Sequence, residues 1–360
     1  MRILIVSGAG GGTSTKSVGK YFHLREFGET LKKYNVEYRL VNELDYVVGF
    51  PTKQLKKYFT TRNKIKELIQ DFKPDLVLID RQGYFGLEIL KMKIPLFVLL
   101  RGHYWSEIEY AKNTIYKNKI MQKVIDSRKK IAEQVFAEST EILPICNYLK
   151  NIVKEYHPTQ KSSVFIEGVD STKWYESKGM KLEHPCVGLL QDANWWRKTK
   201  EMLTLEKTIK SMPKVHFYWA GDGQYKDEIL EVLDKFDNFH WLGSLEYPNK
   251  VREYLSEIDI YALITGMDTT PLSLKEAQLM EKPVIATNVG GNSEIMIDEK
   301  TGYLVEEGNY NDIITKISIL VDKKELAIKM GKEGRKFIEK EFSLDASVKN
   351  FLKIVKPYVN

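Results

Sequence analysis

Short apolar runs alternate with amphipathic helical stretches along the whole chain. The first half contains six such runs, at 2–7, 36–41, 75–80, 94–100, 141–146 and 163–168. The second half repeats the scheme at 186–191, 215–221, 239–244, 258–264, 283–288 and 302–307. Continuous apolar runs of this length are typical of parallel strands that are buried on both faces. Their alternation with helices predicts two doubly wound parallel sheets of six strands each.

The predicted fold class is therefore α/β, with two Rossmann-like doubly wound domains. A short polar stretch over 171–184 indicates the boundary between them. We predict an N-terminal domain over 1–170, a C-terminal domain over 171–344 and a last helix over 345–360. In open parallel sheets, ligands bind beyond the carboxyl ends of the strands. If the two sheets face each other, the strand-to-helix loops of both domains line a shared cleft.

The positive charge is concentrated in the first half of the chain. The net charge is +6, and residues 1–170 hold 28 lysines and arginines against 19 aspartates and glutamates. The basic clusters at 53–66 and 112–130 are either solvated helix faces or a surface for anionic lipid or a phosphate-bearing ligand. No recognised nucleic-acid-binding module accompanies this charge, which argues against a nucleic-acid partner.

The cellular location is predicted from what the sequence lacks. We find no secretory leader and no apolar run long enough to span a bilayer. Two cysteines are too few for a disulfide framework and are wrongly spaced for a metal cage. We therefore expect a cytoplasmic protein, with peripheral attachment to the inner membrane face as the alternative.

The loop after the first apolar run is rich in glycine over residues 8–12. It matches neither a dinucleotide fingerprint nor a Walker A motif, because Thr13 and Thr15 stand where each motif requires glycine. The loop is either a flexible turn or a segment whose amides approach an anion. We favour the second interpretation and place Gly11 and Gly12 among the predicted ligand-binding residues.

The segment from 266 to 294 predicts an anion site between two carboxylates. Asp268 lies in the loop before a predicted helix, and Glu276 lies more than one turn into that helix. The first-turn amides and the helix dipole favour a bound anion between them, and carboxylates accept hydrogen bonds from vicinal hydroxyls. The alternative is that Asp268 caps the helix while Glu276 pairs with a surface lysine.

This segment resembles the donor-binding signature of retaining glycosyltransferases of family 4, the glycosyl transferases group 1. The matching residues are Glu276-Ala277, 282–287 (KPVIAT) and 290–294 (GGNSE), with Asp268 in place of the first glutamate of the signature. The resemblance implies a GT-B fold of two facing Rossmann-like domains, an N-terminal acceptor domain, a C-terminal donor domain and a last helix that crosses back to the N-terminal domain. It also implies that Asp268 faces the donor sugar, that Glu276 faces the ribose, and that Thr269, Thr270, Leu272 and Ser273 contribute to donor binding.

Further segments resemble the family in the expected order. Residues 167–170 (EGVD) precede the boundary, Gly221 and Gly223 form a glycine turn, and Ser244 follows a Leu-Gly turn. Cleavage of a sugar–phosphate bond requires positive charge at the leaving diphosphate. The family places an arginine and a lysine in the loop after the first strand of the donor domain. Lys198 matches the lysine, and Arg197 is the candidate for the arginine, although a solvated basic turn remains the alternative.

Two residues after the fourth run of the first half are also candidates. His103 is either structural or, as the resemblance implies, faces the donor sugar. Arg101 is an alternative contact for an acceptor phosphate.

The resemblance implies retaining transfer of a hexose from a nucleotide-diphosphate sugar to an acceptor hydroxyl. The acceptor is expected to be a glycan or a lipid-linked or phosphorylated precursor. No DxD pair suggests a metal-held diphosphate, so we expect neither a metal nor another cofactor. Two alternatives stay open: a non-catalytic subunit that binds a sugar nucleotide, and a GT-B sugar-nucleotide epimerase. The broken dinucleotide fingerprint argues against a nicotinamide dehydrogenase.

Overall fold

The computed structural model describes residues 1–8, 18–47, 55–114, 116 and 118–359, with only the backbone described at 18–20 and 55–62. The chain divides into two compact units. Unit 1 comprises 1–168 and 344–360, and unit 2 comprises 169–343. The predicted boundaries, at 170 and 344, fall within two residues of these divisions.

Unit 1 contains a parallel sheet of five strands in the order β2-β1-β3-β4-β5. The strands are β1 (Arg2–Ser7), β2 (Glu37–Asn42), β3 (Leu76–Ile79), β4 (Leu96–Leu100) and β5 (Glu141–Pro144). Helices between and after them are α1 (Val18–Lys32), α2 (Leu55–Phe72), α3 (Tyr84–Lys91), α4 (Tyr104–Thr114), α5 (Lys119–Glu138) and α6 (Asn147–Tyr156). Every residue of β3 and β4 is buried, as expected of strands covered on both faces.

The prediction of a sixth strand at 163–168 is wrong. Residues 163–168, all of which the structure describes, form no strand, and their neighbour Ser162 makes only an isolated bridge to Ile142. Two amides of this segment bind β5: Ser163 donates to the Ile142 carbonyl at 3.2 Å and Phe165 to the Pro144 carbonyl at 2.8 Å. The Ile166 amide instead donates to Asn350 Oδ1 at 3.2 Å, and the pairing does not continue as a strand. The pattern of a short apolar run does not separate such partial pairing from a strand.

Unit 2 contains a parallel sheet of six strands in the order β11-β10-β9-β6-β7-β8. The strands are β6 (Cys186–Leu190), β7 (His216–Ala220), β8 (Phe239–Gly243), β9 (Ile260–Leu263), β10 (Val284–Thr287) and β11 (Gly302–Val305). Its helices are α7 (Trp196–Thr199), α8 (Leu205–Ser211), α9 (Lys226–Leu233), α10 (Asn249–Glu257), α11 (Leu272–Leu279), α12 (Tyr310–Asp322) and α13 (Lys324–Glu341). This strand order is that of the dinucleotide-binding Rossmann sheet.

Both faces of the unit 2 sheet are covered. Ile260 and Ala262 belong to one apolar cluster, whereas Tyr261 and Leu263 belong to another. Successive side chains of a strand point to opposite faces, so the two clusters are the two helix layers against the sheet.

The last helix, α14 (Leu344–Val355), is part of unit 1. It buries Val348, Phe351 and Val355, which recur on one face at helical spacing. The Phe351 ring packs edge-to-face on Phe27, with ring centroids 5.4 Å apart. Within the described residues, no helix combines the length and the apolar character that crossing a bilayer requires.

Candidate functional site

The strand order of unit 2 locates a binding crevice. β6 and β9 are neighbours in the sheet, but the chain leaves them in opposite directions, towards β7 and β10 respectively. Such a topological switch point opens a crevice beyond the carboxyl ends of the two strands. The loops at this point are 191–195, after β6, and 264–271, after β9. The second loop contains three of the residues predicted to bind a ligand, Asp268, Thr269 and Thr270, and Leu272 directly follows it.

A cavity of about 800 Å³ lies at this switch point. Seven of the predicted residues line it: Lys198, Gly221, Gly223, Ser244, Asp268, Leu272 and Ser273. Residues that the sequence analysis missed also line it: Leu190, Gln191, Asp192, Asn194, Ala220, Asp222, Leu245 and Pro271. Most of the missed residues lie at the last residue of a strand or within two residues after it, and that position is the signal that identifies them.

An ion pair lies in the wall of this cavity. Lys198 Nζ is 2.8 Å from Asp268 Oδ2, and the two side chains are only 19% and 11% exposed. Burial lowers the pKa of Lys198, but the carboxylates of Asp268 and Asp192 outweigh it, so the net pKa is raised. Lys198 is therefore a fixed positive charge at neutral pH.

The glycines after β10, Gly290 and Gly291, contact the backbone of the loop that carries Asp268. Gly290 has φ +57°, and a Cβ at this position would lie 1.8 Å from the carbonyl oxygen of Asp268. The amide of Gly291 donates to the same oxygen at 3.3 Å. The amide of Thr269 donates to Asp268 Oδ1 at 2.9 Å. These contacts explain why glycines follow β10 and fix the direction of the Asp268 carboxylate.

Helix α11 begins beside Asp268 and turns its amino end to the cavity. Pro271 is the cap residue, with φ −61° and ψ 130°, and Leu272 is the first helical residue. The first amides of a helix have no intrahelical acceptor, so they favour an anion. Ser273 Oγ accepts a hydrogen bond of 2.7 Å from the buried Tyr261 hydroxyl, which fixes the Ser273 side chain.

Glu276 lies one turn further along α11. It is 4% exposed and accepts a hydrogen bond of 3.1 Å from the Tyr247 hydroxyl. Burial, and then the negative charge of Glu276, raise the pKa of Tyr247, so Tyr247 remains a donor at all physiological pH values. Glu276 is outside the set of residues that line the 800 Å³ cavity. Neither Thr269 nor Thr270 lines it, and Thr270 is 4% exposed.

The glycine turn after β7 forms another wall. Gly223 has φ +154°, and a Cβ there would lie 2.4 Å from the carbonyl carbon of Ala193. The amide of Ala193 donates to the carbonyl oxygen of Asp222 at 2.9 Å. Glycine is required because two loops approach with their backbones in contact.

The structure places Arg197 and Lys198, which were predicted to act at one site, at two different cavities. Arg197 lines a second cavity of about 570 Å³, together with Glu201, Lys207 and Tyr310 among others. Consecutive residues of a helix point about 100° apart, so α7 directs only Lys198 into the first cavity.

The candidates of the N-terminal half lie in unit 1. His103 follows β4, and its Nδ1 accepts from the Ser106 amide at 3.2 Å, which is a local structural contact. Gly11 and Gly12 lie outside the described residues. Arg101 pairs with Asp80 at 2.7 Å and with Glu167 at 2.6 Å in a buried cluster. The structure therefore gives Arg101 an internal role in place of the proposed contact with an acceptor phosphate.

The structure shows two Rossmann-like units, with a cavity at the switch point of the second. Residues 171–337 match the family model of the glycosyl transferases group 1. The matched residues lie within unit 2.

Known proteins match part of the chain. A Staphylococcus aureus poly(ribitol-phosphate) alpha-N-acetylglucosaminyltransferase is 27% identical over 150 residues, which are 41% of this chain and 30% of that enzyme. The match thus spans less than a third of that relative's own length.

Solved structures show the likeness over nearly the whole chain. A sucrose-phosphate synthase from Thermosynechococcus elongatus has a TM-score of 0.77 at 13% identity, over 98% of both chains. Anabaena Alr3699/HepE in complex with UDP-glucose has a TM-score of 0.69 at 12% identity, over 99% of this chain and 100% of that chain. These likenesses confirm the predicted GT-B fold.

Proposed function

We propose that the chain is a glycosyltransferase that moves a sugar from a nucleoside diphosphate sugar to an acceptor hydroxyl. The observation that carries this proposal is the Lys198–Asp268 pair, 2.8 Å apart, beside the amino end of α11 in the switch-point cavity. It places a fixed cation, a carboxylate and helix amides within one crevice. Each suits a different part of such a donor.

The cation and the amides suit the diphosphate. An ammonium group carries three N–H donors, so Lys198 retains two when one is used by Asp268. Cleavage of the sugar–phosphate bond increases the negative charge on the leaving diphosphate. Lys198 and the first amides of α11 are preorganised to stabilise that charge.

The carboxylate suits a sugar hydroxyl. Asp268 Oδ1 accepts from the Thr269 amide and Oδ2 faces Lys198. A carboxylate has about four acceptor sites, so each oxygen retains a lone pair for a hydroxyl. We propose that Asp268 binds the transferred hexose and that Glu276 binds the ribose, as the resemblance to family 4 implies.

We further propose that the transfer retains the anomeric configuration and requires no metal. Retention rests on the resemblance to family 4. Metal independence rests on Lys198, which supplies the charge that a metal supplies elsewhere. Proton NMR of the first product tests retention, and turnover in the presence of a chelator tests the second proposal.

The acceptor is proposed to carry phosphate. The curated relative acts on poly(ribitol-phosphate), and Lys123, Lys129 and Lys130 are exposed on α5 of unit 1. Attachment to an anionic membrane is a second proposal from the same charge. Binding to vesicles with anionic lipid, and its release by salt, tests it.

Consumption of a labelled donor separates the candidate functions. Uridine, guanosine and adenosine diphosphate sugars are each incubated with polyol-phosphate and lipid-linked acceptors. Acceptor-dependent release of the nucleoside diphosphate supports the transferase. Binding without any turnover supports the non-catalytic subunit, and conversion of the sugar without an acceptor supports the epimerase.

A further inference from the structure

A cluster of metal-ligating side chains lies at the amino ends of the unit 2 strands, whereas the switch-point cavity lies at their carboxyl ends. His184 and Cys186 stand at the amino end of β6, and Asp259 directly precedes β9. The imidazole Nδ1, the thiol Sγ and a carboxylate oxygen all lie within 4.8 Å of one another. The proposed transferase chemistry uses none of these residues.

The distances approach those of a tetrahedral metal site. His184 Nδ1 is 3.7 Å from Cys186 Sγ and 2.8 Å from Asp259 Oδ2. Zinc bonds of about 2.0–2.3 Å at tetrahedral angles separate ligand atoms by roughly 3.3–3.6 Å. The sulfur–nitrogen distance exceeds this range by about 0.1 Å, and the nitrogen–oxygen distance must widen by about half an ångström.

The surrounding contacts orient the three groups. Glu257 Oε1 lies 3.1 Å from His184 Nε2 and Asp259 Oδ2 lies 2.8 Å from Nδ1, so each carboxylate accepts a hydrogen bond from the ring. When Nδ1 loses its proton, its lone pair faces Cys186 and Asp259, while Nε2–H stays bound to Glu257. The amide of Cys186 donates to Asp259 Oδ2 at 2.8 Å, which holds that carboxylate in place. A carboxylate behind a histidine is the usual outer shell of a zinc ligand.

The site is also accessible to an ion. The side chains of His184 and Asp259 are 41% and 44% exposed, whereas Cys186 is buried. An ion therefore enters from solvent and meets the sulfur on the protein side. One thiolate, one imidazole and one carboxylate are a donor set that suits zinc, with water in the fourth position.

We propose that His184 Nδ1, Cys186 Sγ and Asp259 bind one zinc ion that ties the start of β6 to the start of β9. Binding releases the proton of the thiol and the Nδ1 proton of the imidazole, because the cation favours the thiolate and needs the lone pair of Nδ1. The role is structural, because the site lies at the amino ends of the strands and the proposed donor cavity lies at their carboxyl ends. The proposal stands independently of the transferase activity.

Zinc titration of the metal-free chain against a chromophoric competitor tests the site. We expect one zinc per chain, and Cys186→Ser should weaken the affinity at least about tenfold. Cys146→Ser is the matched control, because Cys146 is a buried cysteine of unit 1. It should bind zinc as the natural chain does. Equal affinity in Cys186→Ser and the natural chain, or no binding at one equivalent, would overturn the proposal.

Cobalt substitution gives a readout that needs no variant. The natural chain loaded with Co²⁺ should show a thiolate-to-cobalt charge-transfer band and the intense visible bands of tetrahedral cobalt. A spectrum without the charge-transfer band would show that sulfur is not a ligand and would contradict the proposed zinc site. Removal of zinc should lower the unfolding temperature of unit 2 and leave the Lys198–Asp268 site able to bind its donor.

Discussion

Replacing Lys198 by methionine removes the ammonium group at the switch-point cavity and nearly preserves the side-chain length. The Asp268 carboxylate, which is 11% exposed, then loses the cation 2.8 Å away. If Lys198 stabilises the leaving diphosphate, turnover should fall by about 10²–10³, the effect of losing one preorganised electrostatic donor, or roughly 3–4 kcal/mol of barrier.

The same substitution should also lower the free energy of unfolding. Breaking a fully buried pair costs about 3–5 kcal/mol, whereas an exposed pair contributes about 1 kcal/mol or less. Lys198 is 19% exposed and the pair lines an open cavity, so solvent screens the remaining charge. We expect a loss of roughly 1–3 kcal/mol, between the two limits.

The assay is steady-state release of nucleoside diphosphate, measured beside urea unfolding of each variant. Lys200→Met and Arg197→Met are the controls, because both residues are exposed and line the second cavity. Each should change turnover by no more than roughly twofold, as for a surface substitution. Turnover of Lys198→Met within threefold of the natural chain would refute the assignment of the leaving-group charge to Lys198. A large effect of Arg197→Met would restore the sequence-based expectation that both residues act at one site.

Three further predictions concern the same unit. Gly290→Ala should lower the free energy of unfolding by more than about 2 kcal/mol and weaken donor binding, because the new Cβ would contact the Asp268 carbonyl. The control is Gly308→Ala, where φ is +76° and no atom lies within 4 Å of the new Cβ; it should lower the free energy of unfolding in urea by only about 1 kcal/mol. Glu276→Gln keeps an acceptor for Tyr247 but removes the charge, so calorimetry should show about tenfold weaker donor binding, and unchanged binding would argue against a ribose contact. The raised pKa of Lys198 adds stability that is fully present below pH 10.5 and is lost as pH rises through the folded-state pKa. Lys198→Met should not show this loss when unfolding is measured against pH. Identical alkaline profiles for the variant and the natural chain would contradict the prediction.

The sequence predicted the sheets where local pattern and tertiary position agree. β3 and β4 are short apolar runs between helices, and they lie in the middle of the unit 1 sheet. Residues 163–168 also contain a short apolar run, but they pair only in part with β5, and Ser347 and Asn350 of α14 bind the backbone of Ile166. Both residues are more than 180 positions from Ile166 in the sequence, so a local sequence window does not show whether the segment joins the sheet.

The same difference between local pattern and tertiary position explains which residues of the candidate site the sequence predicted. Lys198 lies in α7 and Asp268 in the loop after β9, and the fold brings these two side chains within 2.8 Å of each other. Arg197 lines a different cavity because one residue of helical rotation selects which cavity a side chain lines. The buried pairing of Arg101 with Asp80 and Glu167 depends on three segments that meet only in the folded unit.

A crystal structure of the chain soaked with the nucleoside diphosphate sugar that it consumes is the most direct test of the central claim. We predict the diphosphate within hydrogen-bond distance of Lys198 Nζ and of the first amides of α11, and a sugar hydroxyl on Asp268. A donor bound elsewhere, with the cavity between β6 and β9 empty, would contradict the account.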